Sequence, residues 1–449
     1  LSFSNFIKCG RISAIFGIDN ITKMGFLEQA KVELRRQLQA HSFTAAQEIA
    51  MATIETTMSI DLLPWLKAQT NYPQFYFNFR EQPRKIAAIG KVRSFFDINS
   101  LKQALAEYSI PIFGGLQFHG SAHFYIPQIL VEQGEGTVKI SAFSDVVQLA
   151  QVLAQLETLD KTTALQPLVK QSDLNKRQKA DQATWCAWVE QALVKIKQGT
   201  LIKVVLANET EFQLTQSVNA KDFLAASEKQ NQGCYHFLWA ENAQLSFVGS
   251  TPERLFQRCN NQLTTEALAG TAAVTDDELI NRQQADWLLN DRKNLNENWL
   301  VVKDILHNIE TFTKQIQIQE IALKPLRKVQ HLVRHIQALL KSGVSDADLL
   351  QAIHPTAAVS GLPQQAAKQA LAEIEQFDRH WYAGTLGIIT KEEAEFCVTI
   401  RSAFIESNRI RIFAGAGIVE ESDPLTEWRE IDRKALGLVS LLQDEGEAK

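Results

Sequence analysis

Hydrophobic and polar residues are arranged in blocks along the chain, and each block predicts one kind of element. Residues 24–60 carry apolar side chains at helical spacing with charges between them, as in "EQAKVELRRQLQAH", and predict helix. From about 72 to 145 the pattern changes to short aromatic runs separated by glycine and proline, which predicts strands. Residues 145–200 return to a helical pattern.

The second half of the chain also consists of strand blocks and helix blocks. The predicted strands are 201–215, 234–241, 245–249, 254–259, 262–265, 384–390, 395–405 and 410–414, and the predicted helices are about 276–310, 345–353, 363–375 and 424–443. Because the two kinds come in blocks rather than in regular alternation, the fold class is α+β. A polar patch, "KQSDLNKRQKADQATW", predicts a boundary. We therefore expect an extension at 1–23, an N-terminal α+β subdomain at 24–174 and a second domain at 175–443.

Composition narrows the class of protein. The chain has 449 residues, of which 45% are hydrophobic and 22% charged, as in a soluble globular enzyme or binding protein. A net charge of −5 with scattered lysine and arginine predicts no nucleic-acid partner. An uninterrupted apolar run of about 20 residues is missing, so no membrane span is predicted. Five cysteines without a CxxC pair favour the cytoplasm, and residues ahead of Met24 are interpreted as an extension rather than a signal peptide.

One lysine interrupts an otherwise apolar strand. Lys203 lies in "GTLIKVVLAN", where apolar neighbours on both sides predict that both faces of the strand are covered. One interpretation is a lysine at a sheet edge whose amine reaches solvent. The alternative is an amine held in a pocket for its chemistry, because burial favours the neutral form that can accept a proton.

Four glutamates occupy positions from which carboxylates can act together. Glu253 follows the turn-forming Ser-Thr-Pro of "FVGSTPERLF", and Glu297 lies on the predicted helix "DRKNLNENWLVV". Glu427 and Glu430 in "EWREIDRK" are three residues apart on a helix and share one face. Because like charges repel, this pair favours an opposing cation such as Mg²⁺, which prefers oxygen ligands. For each glutamate alone, a solvated loop or helix position is the simpler interpretation.

A second cation lies within a strand pattern near the end of the chain. Arg401 belongs to "VTIRSAFI", and the following strand runs into Ala-Gly-Ala-Gly at 414–417. Small residues let backbone amides approach a ligand, and an arginine beside them fits a carboxylate. A tight structural turn is the alternative interpretation.

Taken in order, these motifs resemble those of the chorismate-utilising enzymes. They read "KVVLA", "GSTPERLF", "TEALAGTA", "HPTAAVSGLP", "FCVTIRSAF", "AGAGIV" and "SDPLTEWREIDRKA", and cover about residues 175–440. The family contains isochorismate and salicylate synthases and the large subunits of anthranilate and aminodeoxychorismate synthases. In the N-terminal part, "YPQFYFNFREQPRKIAAIGKVRSF" and "IFGGLQF" resemble the menaquinone-pathway isochorismate synthases. The resemblance implies large antiparallel sheets layered with helices outside, and a deep cleft that binds chorismate and Mg²⁺.

The resemblance also implies roles for individual residues. Lys203 matches the general base that activates a water, and Glu253 matches the general acid that protonates the leaving hydroxyl. Glu297 and Glu430 match metal ligands, with Glu427 acting through a water. The implied substrate-binding residues are Gly270, His354, Ala358, Arg401, Gly415 and Lys434.

Ala358 distinguishes between members of the family. Ammonia-using enzymes carry threonine at this position of the segment that reads "AAVSGLP" here, and salicylate synthases tend to carry it too. We therefore expect a cytoplasmic, Mg²⁺-dependent isochorismate synthase of menaquinone biosynthesis, without a glutaminase partner and monomeric or weakly dimeric. The alternatives are a salicylate synthase or a siderophore-pathway isochorismate synthase. An anthranilate or aminodeoxychorismate synthase component, or an inactive chorismate-binding protein, has less support.

One position departs from the family pattern. The family often reads "KVVLAR", whereas this chain has Asn208 in place of the arginine. If that arginine normally braces the strand, the geometry around Lys203 is expected to be looser here.

Overall fold

The computed structural model describes residues 23–45, 48–172 and 174–443. Of the predicted extension at 1–23, all but Lys23 lies outside the described residues. The helices are α1 (Lys23–Ala40), α2 (Leu62–Ala68), α3 (Ile98–Glu107), α4 (Leu149–Leu156), α5 (Gln182–Lys197), α6 (Ala220–Gln230), α7 (Glu278–Asn290), α8 (Arg292–Ile309), α9 (Asp346–Ile353), α10 (Gln364–Ile374) and α11 (Pro424–Val439). No described helix is both long and apolar enough to cross a bilayer.

The strands are β1 (Ala50–Thr56), β2 (Gln74–Asn78), β3 (Lys85–Ile89), β4 (Arg93–Phe95), β5 (Ile112–Leu116), β6 (Ala122–Ile126), β7 (Ile129–Gln133), β8 (Val138–Ser144), β9 (Asn175–Gln178), β10 (Lys203–Gln213), β11 (Tyr235–Ala240), β12 (Ser246–Thr251), β13 (Arg254–Cys259), β14 (Gln262–Ala273), β15 (Thr313–Ile318), β16 (Ala322–Pro325), β17 (Val329–Leu340), β18 (Gly361–Leu362), β19 (Thr385–Ile389), β20 (Glu393–Val398), β21 (Ser402–Glu406) and β22 (Arg409–Ile418).

These strands form two large sheets in the described part of the chain. The first sheet has the order β1-β8-β7-β3-β2-β11-β12-β21-β22-β10-β18, with β9 beside β10. The second has the order β15-β17-β14-β13-β20-β19-β5-β6-β4, with β16 beside β17. The strands pair in antiparallel fashion, as at β10 with β22 and β14 with β17. The antiparallel sheets and separate helices confirm the α+β prediction.

The period of two along each strand separates two hydrophobic layers. In β2, Phe75 and Phe77 belong to an inner core that contains residues of both sheets. Tyr76, between them, belongs to an outer core with residues of helices α1, α2, α4 and α6. Each fully buried aromatic side chain stabilises the fold by roughly 1.5–3 kcal/mol relative to an exposed one. The first sheet is therefore covered on both faces, with the second sheet on one side and helices on the other.

Three predicted segments are wrong in part. The helix predicted for 24–60 ends at Ala40, and Ala50–Thr56 forms β1 against β8, with alternating buried and exposed side chains near its start. Within the strand block at 72–145, Ile98–Glu107 is the helix α3, whose N-cap Asp97 accepts a hydrogen bond from the Ser100 amide. The helical block at 145–200 contains α4 and α5, with β9 between them.

One long strand has no counterpart among the sequence predictions. Strand β17 spans Val329–Leu340 and pairs with β14, β15 and β16. Its sequence, "VQHLVRHIQALL", mixes histidine and arginine with apolar residues, so the usual alternation is interrupted. The polar side chains are tolerated because part of this strand faces a cavity rather than the core.

Strands from both sides of residue 174 occur in both sheets. The first sheet joins β2 to β11, and the second joins β5 to β19. The predicted division at 174 therefore crosses two continuous sheets, and the domain boundary stays a prediction.

Candidate active site

A cavity of about 660 Å³ lies where strands β10 and β22 of the first sheet meet β14 and β17 of the second. Helices α8 and α11 contribute further side chains to its wall. Seven residues that the sequence singled out line it: Glu253, Gly270, Glu297, Ala358, Arg401, Gly415 and Lys434. Residues that are about 200 positions apart in the chain are thus brought to one site.

Lys203 is the first residue of β10 and is fully buried, at 0% exposure. Its neighbour Ile202 is 51% exposed, so the lysine and not the isoleucine faces inward. The Lys203 Nζ atom lies 3.2 Å from Glu297 Oε1 and makes no hydrogen bond to any described residue. The interpretation of a solvent-reaching edge lysine is therefore wrong. The amine is buried beside Glu297 of the cavity wall, and the catalytic interpretation stays a prediction.

Gly417 makes this close approach possible. A Cβ atom at this position would lie 2.1 Å from Glu297 Oε1 and 3.1 Å from Lys203 Cε. Any side chain here would push apart the lysine and the glutamate. The small residues of the 414–417 segment therefore make room for side chains of the site, in addition to bringing backbone close to it.

A buried ion pair braces the strand that carries Lys203. Arg379 donates one hydrogen bond to the Val205 carbonyl, at 2.6 Å, and another to the Val359 carbonyl, at 2.9 Å. Its partner Glu375 accepts from the Ala207 amide at 2.8 Å. The pair fixes β10 just beyond the lysine and ties it to the segment next to Ala358.

Asn208 is bound to a neighbouring segment rather than left unused. Its side-chain oxygen accepts from the Ala180 amide at 3.0 Å, and its nitrogen donates to the Ala180 carbonyl at 2.8 Å. Both residues are buried. The departure from the family's arginine therefore leaves β10 held on this side, and the expected looseness is not seen.

Glu253 lies between β12 and β13 and is 3% exposed. Burial, together with the nearby carboxylate of Glu266, raises the pKa of its carboxyl to about 8. The ammonium groups of Lys203 and Lys434 act in the opposite direction but do not prevail. A carboxyl group with this pKa holds a proton at neutral pH and can donate it.

Helix α11 places two carboxylates at one end of the cavity. Asp423 caps the helix by accepting from the Thr426 amide, and Pro424 occupies its first turn. Glu427 then forms an ion pair with Lys293 at 2.6 Å. Burial raises the pKa of Glu427 to about 7, and repulsion from Glu430 adds to this shift.

The carboxylates of Glu297, Glu427 and Glu430 surround one cation. Burial alone would lower the pKa of Lys293, but attraction to these three glutamates raises it. Carboxylate oxygens are the donors that Mg²⁺ takes, so this set fits the ion in chemistry and in sign of charge. The described residues contain no group of three or more acidic, histidine or cysteine side chains already arranged around a metal position.

Another part of the wall is cationic. Arg401 is half-buried, and its Nη2 donates to His331 Nε2 at 3.3 Å. Because arginine can only donate, the histidine accepts and is neutral, and burial together with Arg401 holds its pKa well below the usual range. Lys434 Nζ donates to the Gly415 carbonyl at 2.9 Å and pairs with Glu430 at 2.6 Å. The guanidinium of Arg401, without a carboxylate partner among the described residues, is suited to an anionic ligand.

Two features of this wall differ from the sequence predictions. Arg401 does not lie within a strand: β20 ends at Val398, β21 starts at Ser402, and the arginine has a left-handed φ of 51°. His354 is buried with its Nε2 atom 3.0 Å from the Gln117 carbonyl, and it is not among the residues that line the cavity. Lys203, Glu427 and Glu430 are also absent from that lining, so the substrate-binding role of His354 stays a prediction.

Gly270 shapes the wall through a bulge. The register between β14 and β17 shifts between Leu268 and Thr271, and Gly270 there has a φ of +86°. The bulge frees the Thr271 amide to donate to Asn294 Oδ1 at 3.1 Å. A glycine is needed here because an L side chain rarely adopts this backbone conformation.

The sequence did not single out two charged or polar residues of the site. His331 belongs to the unpredicted strand β17, and Lys293 lies one turn before Glu297 on α8. The spacing of Lys293 and Glu297, at i and i+4, was the available signal for a cation near the acidic cluster.

Comparisons with known proteins place the chain beside enzymes that use chorismate. The family described as "Chorismate binding enzyme" matches residues 116–443. Isochorismate synthase MenF of Haemophilus influenzae is 54% identical over 423 residues, covering 94% of this chain and 98% of that protein.

Solved structures agree with this placement. The structure described as MenF, the menaquinone-specific isochorismate synthase from Escherichia coli, has a TM-score of 0.86 and 35% identity, covering 93% of this chain and all of that one. Anthranilate synthase component I from Streptococcus pneumoniae has a TM-score of 0.58 at 20% identity, covering 89% of this chain and 93% of that chain, and shows the same fold. The fold predicted from the motifs is confirmed.

The role of Asn208 can be tested by replacing it with alanine. Asn208→Ala leaves the buried amide and carbonyl of Ala180 without their side-chain partner, at a cost of about 1–3 kcal/mol for each group. We expect a lower melting temperature and a lower free energy of unfolding in urea. An unchanged stability would show that these two hydrogen bonds do not hold the strand.

Proposed function

This chain belongs to the chorismate-binding enzyme family and is an isochorismate synthase, and we propose that Lys203 and Glu253 perform its acid–base chemistry with Mg²⁺ bound nearby. The observation that carries this proposal is a buried amine 3.2 Å from Glu297 of the cavity wall, together with the buried, protonated carboxyl group of Glu253 in the same wall. The similarity to the menaquinone-specific isochorismate synthase from Escherichia coli supports a role in menaquinone biosynthesis.

The reaction exchanges a hydroxyl group between two ring carbons of chorismate. Lys203 takes a proton from a water molecule while the oxygen of that water bonds to ring carbon C2. The two double bonds of the ring shift at the same time. The bond between C4 and its hydroxyl breaks, and Glu253 donates the proton with which that hydroxyl leaves as water. One water is added and one is released, so substrate and product are isomers. The two side chains end with exchanged protons and are reset by solvent.

Binding residues orient the ring for this step. Arg401 and the backbone around Gly415 hold one carboxylate of the substrate, and Lys434 adds positive charge. Holding both reacting centres in place lowers the entropic cost of the reaction. These assignments draw support from the residues' positions in the cavity wall.

Glu297 and Glu430 would hold Mg²⁺, with Glu427 contributing through a water. The ion would supply positive charge to neutralise and orient a carboxylate of the substrate. Lys293, which lies among the same carboxylates, offsets their charge in the absence of the ion.

Ala358 favours water rather than ammonia as the nucleophile. It lies in the cavity wall, where its methyl group offers no hydroxyl for binding ammonia. The enzyme therefore needs no glutaminase partner to supply ammonia. We further propose that it is a monomer or a weak dimer and that it works in the cytoplasm.

The function predicts a single product. Purified protein incubated with chorismate and Mg²⁺, without ammonia, should form isochorismate, which chromatography separates from chorismate, salicylate and pyruvate. Salicylate with pyruvate would instead identify a lyase-competent enzyme, and bound chorismate without turnover would identify a binding protein.

The Lys203→Ala variant, measured in the same product assay, tests whether Lys203 is the base. It should abolish turnover while chorismate binding, followed by tryptophan fluorescence, stays within about threefold of wild type, because removal of the base affects the chemical step. A rate near that of the wild type would remove Lys203 from its role as the base.

The pH dependence should report Glu253. Because this residue acts while protonated and its pKa is raised to about 8, kcat/KM should be retained below that pH and lost as the pH rises through it. The measurement is kcat/KM from pH 6 to 9.5 with the stability of the protein checked at each pH. A flat profile across this range would contradict the assignment.

Metal dependence should follow the acidic cluster. Removal of Mg²⁺ with a chelator should abolish turnover, and added Mg²⁺ should restore it. In calorimetric titrations, Glu297→Gln and Glu430→Gln should weaken Mg²⁺ binding by about tenfold or more, because each removes a charged ligand. The control is Glu373→Gln on α10, whose side chain is 48% exposed and far from the cluster in sequence. Equal Mg²⁺ affinity in all variants would overturn the ligand assignment.

A further inference from the structure

Glu253 lies in a short segment outside the strand ladders, and side chains hold the backbone on both sides of it. Arg80 donates a hydrogen bond from Nη1 to the Pro252 carbonyl, immediately before the acid. Glu266 accepts through Oε1 from the Arg254 amide at 2.8 Å, immediately after it. The two peptide units that flank Glu253 are thus fixed by two side chains of opposite charge.

The two side chains are also bound to each other. Arg80 Nη1 and Nη2 donate to the two oxygens of Glu266 at 2.6 and 2.9 Å. The side-chain exposure of Arg80 is 2% and that of Glu266 is 0%. The Arg80 guanidinium also stacks over the Tyr235 ring at 5.1 Å. The pair therefore has a single well-defined geometry, in which Arg80 and Glu266 are also hydrogen-bonded to the backbone on the two sides of Glu253.

Arg80 comes from a distant part of the chain. It lies in the loop at 79–84 between β2 and β3, whereas the family match covers residues 116–443. Glu266 lies on β14, within the "TEALAGTA" motif. The amino-terminal region thus reaches the segment that carries the acid.

A buried ion pair costs several kcal/mol of desolvation for each ion, so apolar residues would stabilise a fold at least as well. The location of this pair, with one contact on each side of Glu253, gives a reason for its presence. We propose that Arg80 and Glu266 are positioning residues for Glu253, which hold its carboxyl group at the cavity wall in the state that donates a proton. This inference rests on the proposed function of Glu253.

Electrostatics adds a second contribution from Glu266. The charged groups facing Glu253 come from several elements: Lys203 on β10, Lys324 on β16, Lys434 on α11 and Glu266 on β14. After burial, Glu266 is the largest cause of the raised pKa of Glu253, whereas the three lysines lower it. Loss of the Glu266 charge would leave Glu253 among cations and favour its ionised form.

Glu266→Gln tests this charge while it preserves shape. The amide oxygen can still accept from the Arg254 backbone, but the negative charge is lost and Arg80 keeps Glu81 as its remaining carboxylate partner among the described residues. At high pH, kcat/KM falls as Glu253 loses its proton, and we call this fall the alkaline limb of the pH profile. We expect the limb to move to lower pH by about one unit, so that kcat/KM at pH values above it falls by about tenfold. We also expect kcat at pH 6 to stay closer to wild type. An unmoved limb would overturn the inference.

Asp346→Asn is the matched control. Asp346 forms a buried two-bond ion pair with Arg258, at 2.6 and 2.9 Å, and Arg258 lies on the same strand, β13, as Arg254. Its loss should lower the melting temperature without moving the limb. If both variants move the limb equally, the effect is general destabilisation and the inference fails.

Arg80→Lys provides an independent test if Glu266→Gln does not fold. Lysine keeps the charge but cannot bind Glu266 with two hydrogen bonds and also reach the Pro252 carbonyl. We expect kcat to fall by about tenfold while KM changes by less than about threefold, since the acid is misplaced and the binding residues are intact. A wild-type kcat in this variant would contradict the positioning role.

The outcomes separate this inference from the proposed function. Isochorismate formation by the wild type, combined with an unmoved limb in Glu266→Gln, removes the positioning role and leaves the function in place. Failure of the wild type to form isochorismate removes the function itself, and the roles assigned to Arg80 and Glu266 with it.

Discussion

The burial of the Lys203 amine is the constraint on which the site depends. A charged group in a protein interior costs several kcal/mol unless another charge or hydrogen bonds compensate it. Here Glu297 lies 3.2 Å from the amine, and Gly417 supplies the space that this approach needs. The Arg379–Glu375 pair then fixes the strand beyond the lysine. A helix, two strands and a loop are thus positioned relative to one buried atom.

The acid of the cavity wall, Glu253, is buried as well, and burial favours its neutral form, which can donate a proton. Burial and the nearby Glu266 raise its pKa to about 8, whereas Lys203 has a carboxylate beside it. The two neighbouring carboxylates thus differ in effect: Glu266 favours the protonated form of Glu253, while Glu297 offers a counter-charge to Lys203.

The sequence predicted the parts of the site that lie in short local motifs. Lys203 and Glu253 stood out because a charged residue in an apolar run, or after a turn, breaks a local pattern. Strand β17 with His331, and the loop that carries Arg80, were not predicted because their roles arise from contacts between distant segments. His354 belongs to a recognisable motif but lies off the cavity, since its ring is bound to a backbone carbonyl.

The origin of these contacts bears on how the site forms. The base lies on a strand of the first sheet and Glu266, which favours the protonated form of the acid, on a strand of the second, while Arg80 comes from the amino-terminal loop. The buried carboxylate of Glu266 in the second half has its ion-pair partner, Arg80, in the first half. An isolated second half would expose Glu266 without Arg80 and leave the segment around Glu253 held on one side. The two sheets must therefore pack together before Lys203 and Glu253 are buried, and the protonated state of Glu253 is a property of the complete fold.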